Sequence, residues 1–319
     1  MEWKFNIEEI QEMQPHYDRL LQKRNQLNSK RPLSGSALYQ LKESLSLEWT
    51  YHSNSIEGNT LNLQETRIVL LDGMTVKGKS MREHFEATNH YEAIEYLESL
   101  VKEDYVLNER DILEIHSIIL SKIEKEFAGR YRNGAVRIMG ANFIPPNALR
   151  VSEYMEELLN WVNENPLQLN EFALASVFHH RFVHIHPFFD GNGRTVRLAM
   201  NLILMRSGFP PAIILKNDRK KYYDALNLAN NGNYNKLLLL MAQAAERSLD
   251  IYLNAYPSDS LDDEYRYISE IVSEPDMPYG QEYVSLLARQ GKIDAYKEGR
   301  NWVTNKKAIK DYINSKNAS

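Results

Sequence analysis

The chain has 319 residues, 43% of them hydrophobic and 25% charged, with a formal net charge of −5. That length supports two or three domains with a real core, and the acidic balance argues against a protein that coats nucleic acid over its whole surface, while leaving room for one basic module. Cysteine is absent, which excludes a disulfide framework and thiolate chemistry.

Taken in chain order, the pattern is mostly helical. The N-terminus, "MEWKFNIEEIQEM", is acidic and amphipathic and unlike a signal peptide. Residues 7–28 form an amphipathic run that breaks at "NSKRPLSGS". Leu38, Leu41, Leu45, Trp49, His52 and Ile56 then recur at steps of three and four, the stripe of a helix. That helix is expected to stop at Gly58. Its end places Glu57 in the last turn, where a carboxylate faces the negative end of the helix dipole at a cost of about 0.3–1 kcal/mol. Asn62 with Glu65 three later reads as a capping pair opening the next helix, which ends before Gly73. "EHFEATNHYEAIEYLESLV" and "ERDILEIHSIILSKI" are two more. Over residues 129–152 the helical period is lost, and Gly, Asn and Pro punctuate two short apolar runs, which predicts an irregular β-hairpin or flap. Helices are expected again at 152–163, 169–185, about 193–207, 217–231 and 234–254. No apolar run approaches the length of about 18 residues needed to span a bilayer, so a cytoplasmic protein without a membrane partner is expected.

"YPSDSLDDE" (256–264) reads as a linker. Beyond it, residues 258–284 hold one Arg against eight acids, and residues 285–319 hold eight Lys and Arg against three. A small separate module with a basic half is expected there. The sequence thus divides into an N-terminal helical region (1–105), a core (106–255), the linker and a module at 265–319.

The densest chemical signal is "HPFFDGNGRTVR". Gly191, Asn192 and Gly193 lead directly into a helix, so backbone N–H groups point outward where the dipole is positive. Such a turn suits an anion, above all a phosphate, though a Gly-rich turn between helices is also simply a turn. Arg194 and Arg197 share a face of that helix, and two guanidiniums suit a di- or triphosphate. Asp190 beside the nest would repel phosphate unless a cation bridged them, which points to Mg²⁺ or Mn²⁺. His186 has the right pKa range to take a proton from an attacking hydroxyl. Four of the nine histidines fall within 179–186. His180 and His184 are spaced as in a helical zinc site, but "RFV" between them lacks the Glu of a zinc protease. His179, His180 and His184 are therefore read as packing or orienting groups.

"HPFFDGNGRTVR" resembles the signature of Fic-domain proteins, His-Pro-Phe-x-Asp-Gly-Asn-Gly-Arg with a second Arg three residues on, and every defining position is present. The likeness continues through "NLILMRSGFPPAIILKNDRKKYYDALNLANNGNY". "SNSIEGN" (53–59) resembles the family's inhibitory motif, Ser/Thr-x-x-x-Glu followed by Gly or Asn. Together these span roughly residues 35–255. The resemblance implies a mostly α-helical Fic-fold bundle with a β-hairpin flap and a nucleotidyltransferase that moves AMP from ATP to a Ser, Thr or Tyr hydroxyl of a target protein. It implies that His186 is the general base and that Asp190 holds Mg²⁺. Gly191, Asn192, Gly193 and Arg194 would bind the phosphates and Arg197 the γ-phosphate, with Tyr222, Tyr223 and Asn230 bordering the adenosine. Ile138, Met139 and Gly140 in the flap "VRIMGANFIPP" would hold the target backbone. The resemblance also implies autoinhibition, with Glu57 reaching Arg197 and Ser53 one turn earlier adding a hydrogen bond, and leaves open removal of AMP by the same site.

"EYVSLLARQGKIDAYKEGRNWVTNKKAIKDYI" resembles a winged helix-turn-helix. Its basic surplus suits DNA backbone, but protein docking or a homodimer fits such a module better. A nucleotide-sensing DNA-binding regulator is the alternative reading.

Overall fold

The computed structural model describes residues 7–29, 36–102, 106–255, 262, 264–298 and 300–317. Helices α1 (Ile7–Glu12) and α2 (Gln14–Ser29) open the chain and α3 (Ser36–Ile56) follows. Next come α4 (Leu63–Leu71), α5 (Met81–Ser99), α6 (Glu109–Leu120), α7 (Val151–Glu164), α8 (Glu171–Ile185), α9 (Asn192–Arg206), α10 (Arg219–Ala229) and α11 (Asn235–Asn254). Reciprocal capping boxes open α4, α5 and α6: Asn62 with Glu65, Ser80 with Glu83, and Asn108 with Asp111. Each box satisfies two backbone donors that a helix start otherwise leaves open.

The centre of the bundle is the pair α8 and α9. Both are buried over nearly their whole length, as expected of helices with apolar or paired groups all round. The remaining helices bury single faces against them. One continuous apolar core runs from Ile10 to Tyr252, so the N-terminal helices and the 106–255 region pack as one body. Among the described residues no helix is long and apolar enough to cross a membrane.

The flap departs from its expected form. Among the described residues the only sheet lies in the C-terminal module, and residues 136–146 run as irregular chain with a turn at Met139 and Gly140. Pro145 and Pro146 have no N–H to give a ladder. The tip bonds elsewhere instead: Asn227 Nδ2 donates to the Gly140 carbonyl (3.2 Å), and Asn230 Nδ2 donates to Asn142 Oδ1 (2.9 Å).

The C-terminal module contains β1 (Arg266–Tyr267), α12 (Ile268–Ile271), α13 (Gln281–Arg289), β2 (Ala295–Glu298), β3 (Asn301–Thr304) and α14 (Lys306–Asn317). Its antiparallel sheet has the order β1-β3-β2, over a small core that includes Ile271, Val284, Leu287 and Ile309. Several of its cations are paired within the module. Lys306 pairs with Glu274 and Asp276, Lys310 with Asp262, and Arg266 with Glu274. The expected linker, residues 256–264, lies largely outside the described residues.

A charged cluster seats this module on the bundle. Lys23 of α2 is buried and contacts Asp250 of α11 (2.6 Å), Glu246 (3.0 Å) and Asp294 of the module. Tyr265 donates to Asp294 (2.6 Å) and Asp250 (3.1 Å), and Arg19 Nη2 donates to Glu246 (2.8 Å). Burial and the neighbouring Asp294 push the Asp250 carboxyl well above its ordinary range. Removing one partner of a buried ionic cluster typically costs about 3–5 kcal/mol. Lys23→Ala is therefore expected to lower unfolding stability by about that much in urea titrations, and a loss under about 1 kcal/mol would contradict a structural role for the cluster.

Candidate active site

The site lies where α8 ends and α9 begins, facing the C-terminal end of α3. His186 caps α8 in the left-handed conformation, φ 50°, which is uncommon for a residue with a side chain. Arg132 over-determines it. Its Nε donates to the His186 carbonyl (2.8 Å), and its Nη1 and Nη2 donate to Gly134 (2.9 Å) and Pro146 (2.6 Å). The cation thereby sits at the negative end of α8 and staples both roots of the flap beside His186. Burial, aided by the Arg132 cation, lowers the His186 pKa to about 4 against the opposing Val183 carbonyl and the Glu57 and Asp190 carboxylates. The ring is neutral near pH 7 and able to accept a proton.

The turn after it is shaped by side chains. Asn192 Oδ1 accepts from the Phe188 N–H (2.9 Å) while its Nδ2 donates to the Phe188 carbonyl (2.8 Å). Its side chain is thus committed to the loop, and only its backbone N–H remains for an anion. Gly191 has φ 77°, and a Cβ there would press on His116 at 3.2 Å. His116 receives the Gly129 N–H on Nδ1 (3.0 Å) and lies 3.0 Å from the Asp190 carbonyl through Nε2, so Nε2 carries the proton and donates it there. It also stacks on Phe188, with ring centroids 3.6 Å apart.

Arg194 and Arg197 point inward, each with a side chain only 3% exposed. Arg197 Nε donates to Ser53 Oγ (3.0 Å) and Nη2 to the Ser53 carbonyl (2.9 Å), and Nη2 lies 2.7 Å from Glu57 Oε1. A Cβ on Gly193 would collide with that Glu57 oxygen and fall 2.9 Å from Arg197 Nη1. The Glu57 carboxylate therefore lies against Gly193, beside the anion nest. Glu57 lies just beyond the last helical residue, Ile56, whose carbonyl accepts from Arg219 Nε (2.7 Å).

Asp190 is ionised. Burial alone would raise its pKa, but Arg194, the Gly191 N–H and Arg82 outweigh this and hold it below the usual carboxylate range. Arg194 Nη1 and Nε and Arg197 Nη1 are buried without hydrogen-bond acceptors, which is capacity for an incoming anion. Among the described residues no group of three or more His, Cys, Asp or Glu is arranged to hold a metal by itself. One ionised carboxylate beside a phosphate nest still fits Mg²⁺, which commonly takes one or two carboxylates and completes its shell with phosphate oxygens and water.

The other expected residues are distributed less simply. Tyr222 is buried and its hydroxyl meets His179 Nε2 (2.7 Å). Tyr223 is half-buried under Arg219, 4.9 Å from its ring centroid. Asn230 bridges His180 Nε2 (2.9 Å) and the flap residue Asn142. His184 stacks on Phe143. Met139 is 99% exposed at the flap tip, between half-buried Ile138 and exposed Gly140.

Burial holds the buried rings of His90, His116, His179 and His180 neutral, with pKa values of about 4 for His116 and His180 and well below 6.5 for the other two. Their folded pKa values are depressed, so the stability they contribute is complete above about pH 6.5 and is lost as pH falls toward 4. His116 and His180, with pKa values of about 4, each contribute about 1.4 kcal/mol per pH unit across that window. Melting temperatures measured from pH 7 to 4 should fall progressively below about 6.5, and a flat profile to pH 5 would refute neutral burial.

The Fic/DOC family profile matches residues 106–204. The Fic-1 structure from C. elegans (aa134–508) superposes with a TM-score of 0.69 at 34% identity, covering 76% of this chain and 72% of that one. This chain belongs to the Fic/DOC family. A Fic-domain signaling protein from Bacteroides thetaiotaomicron superposes at 0.66 with 27% identity, covering 75% of this chain and 97% of that one. Among curated relatives, Protein adenylyltransferase Fic of Aedes aegypti is 36% identical over 283 residues, covering 88% of this chain and 55% of its own length. The Nematostella vectensis protein of the same name is 42% identical over 205 residues, covering 64% and 48%. The chain thus spans about half the length of these relatives.

Several residues that shape this Fic site carry no signal of that role in the sequence: Arg82, Glu86, His116, Arg132 and Arg219. His116 sits in a regular helical stripe and reads as core. "GRYRNG" carries Arg132 in a Gly-flanked turn, a signal too local to name its distant acceptors.

Proposed function

We propose that this Fic protein is an AMPylator that transfers AMP from ATP to a Ser, Thr or Tyr hydroxyl of a target protein and is held inactive by its own Glu57. The observation that carries the reading is the Gly191–Gly193 nest, with two buried guanidiniums that have unspent N–H groups, placed beside a neutral histidine and an ionised aspartate. The polyphosphate binds the nest and both arginines. His186 takes the proton from the target hydroxyl, the freed oxygen attacks the α-phosphorus, and the α–β bridging bond breaks to release pyrophosphate. Asp190 would hold Mg²⁺, which would supply neutralisation of the polyphosphate charge. A base in this role contributes about 10²–10⁴-fold, and positioning with preorganised charge contributes the remainder. The segment Ile138–Gly140, with Met139 fully exposed at its tip, is the one that would meet a target strand.

The inhibitory role of Glu57 rests on its position: it lies beside the nest and neutralises Arg197, the group assigned to the γ-phosphate. AMP removal by the same site would use the same carboxylate to orient water. The internal pairing of Lys306, Lys310 and Arg266 leaves fewer free cations for DNA, which favours the transferase over the DNA-binding regulator.

Two labels separate AMP transfer from phosphate transfer. ATP labelled at the α-phosphate should mark the protein covalently, and ATP labelled at the γ-phosphate should not. Labelling only from the γ-position would overturn the reading.

A further inference from the structure

Asp190 is one corner of a closed ring of four charges. Arg82 Nη2, from the first turn of α5, lies 2.6 Å from Asp190 Oδ2. Arg194 Nη2 lies 3.3 Å from Asp190 Oδ1, Arg194 Nη1 lies 3.5 Å from Glu86 Oε1, and Glu86 Oε1 lies 3.4 Å from Arg82 Nε. Glu124 also pairs with Arg82, at 3.0 Å. The Asp190 Oδ1 atom already accepts from the Gly191 N–H (2.6 Å), which leaves Oδ2 as the oxygen for a cation. Arg82 holds that oxygen.

We propose that Arg82 is a positioning residue that gates the Asp190 carboxylate: it must release Asp190 before that group takes a divalent cation with the nucleotide. This rests on the reading of the site as an ATP site with Asp190 as its metal ligand. Without a cation, Arg82 masks the carboxylate, so Asp190 repels phosphate less. With one, the ion pair must be given up. Arg82 therefore narrows the difference between metal-bound and metal-free nucleotide. The gate is tied to the inhibitory turn. Asn59 Nδ2 donates to Glu86 Oε2 (2.8 Å), and Asn54 Nδ2 donates to the Glu86 carbonyl (3.1 Å). The segment that carries Glu57 onto Arg197 thus also fixes the carboxylate that steadies Arg82 and neutralises Arg194.

The test is calorimetric. ATP binding is measured in the full chain carrying Glu57→Gly, so that the nest is open, and His186→Ala, so that turnover stops. Each titration is run with excess Mg²⁺ and with EDTA, and the ratio of the two dissociation constants is the metal advantage. Arg82 is half-exposed (48%), so its replacement should leave the fold intact. The metal advantage should rise about two- to fivefold in Arg82→Ala, the range of a partly exposed ion pair. It should rise further in Arg82→Glu and stay near the parent value in Arg82→Lys. Asp190→Ala should abolish it. An unchanged or smaller advantage in Arg82→Ala, with Asp190→Ala abolishing it, overturns the gate and leaves the site reading standing. An advantage that survives Asp190→Ala overturns both.

Discussion

Glu57→Gly is expected to raise auto-AMPylation about 10- to 150-fold. The Glu57–Arg197 contact is charge-assisted at 2.7 Å, and Arg197 is almost wholly buried, so a value of about 1.5–3 kcal/mol is appropriate. At 1.4 kcal/mol per factor of ten, that energy keeps the open form near 1–10% of molecules. Glu57 is one-third exposed, and solvent screening favours the lower half of the range. Ser53 holds Arg197 through both its hydroxyl and its carbonyl, so the guanidinium stays placed when the carboxylate is removed. Glu57→Gln, which keeps the shape and loses the charge, should fall between. Quantified label from α-labelled ATP reads the effect, and equal activity in wild type and Glu57→Gly would end the autoinhibition argument.

His186→Ala is expected to lower the rate of the Glu57→Gly protein about 10²–10⁴-fold, the usual contribution of a positioned base. The pH profile separates this from a merely structural loss. With its pKa lowered to about 4, His186 is already neutral across pH 6–8, so the rate should be flat there. It should fall only as pH drops toward 4 and the ring gains its proton. An acid limb centred near the ordinary histidine value of about 6.5 would contradict the buried environment.

Much of the site is legible in the amino-acid sequence because its chemistry is local along the chain. The interval from His186 to Arg197 is a helix end, a turn and a helix start, and helix electrostatics alone mark it as an anion site. The position of Glu57 is readable because a carboxylate at a helix C-terminus is unfavourable unless it is paired. The flap takes another form than its composition suggests: Gly, Asn and Pro signal turns, but a hairpin needs ladder donors that Pro145 and Pro146 cannot give. The family resemblance puts Asn192 in the phosphate cradle and Tyr222 beside the adenosine; their side-chain hydrogen bonds to Phe188 and His179 are not legible in the sequence. Arg82, Arg132 and Arg219 are invisible in the sequence because their acceptors are distant carboxylates or backbone carbonyls, and backbone carbonyls leave no trace in residue identity. The cluster around Lys23 joins residues 227 and 271 positions apart in the chain, beyond the reach of any periodicity.

Glycine at position 193 has a further consequence. Because no Cβ stands there, the volume beside Gly193 has room for the Glu57 carboxylate, and on the proposed reading a phosphate competes for it. The carboxylate arrives on the same chain, at the end of a helix pinned by Arg219, Asn54 and Asn59. Its effective concentration at Arg197 is set by that short tether and lies in the millimolar range or above. Diluting the protein cannot relieve such a competitor. On the proposed reading, freeing the nest requires loosening these pins of α3.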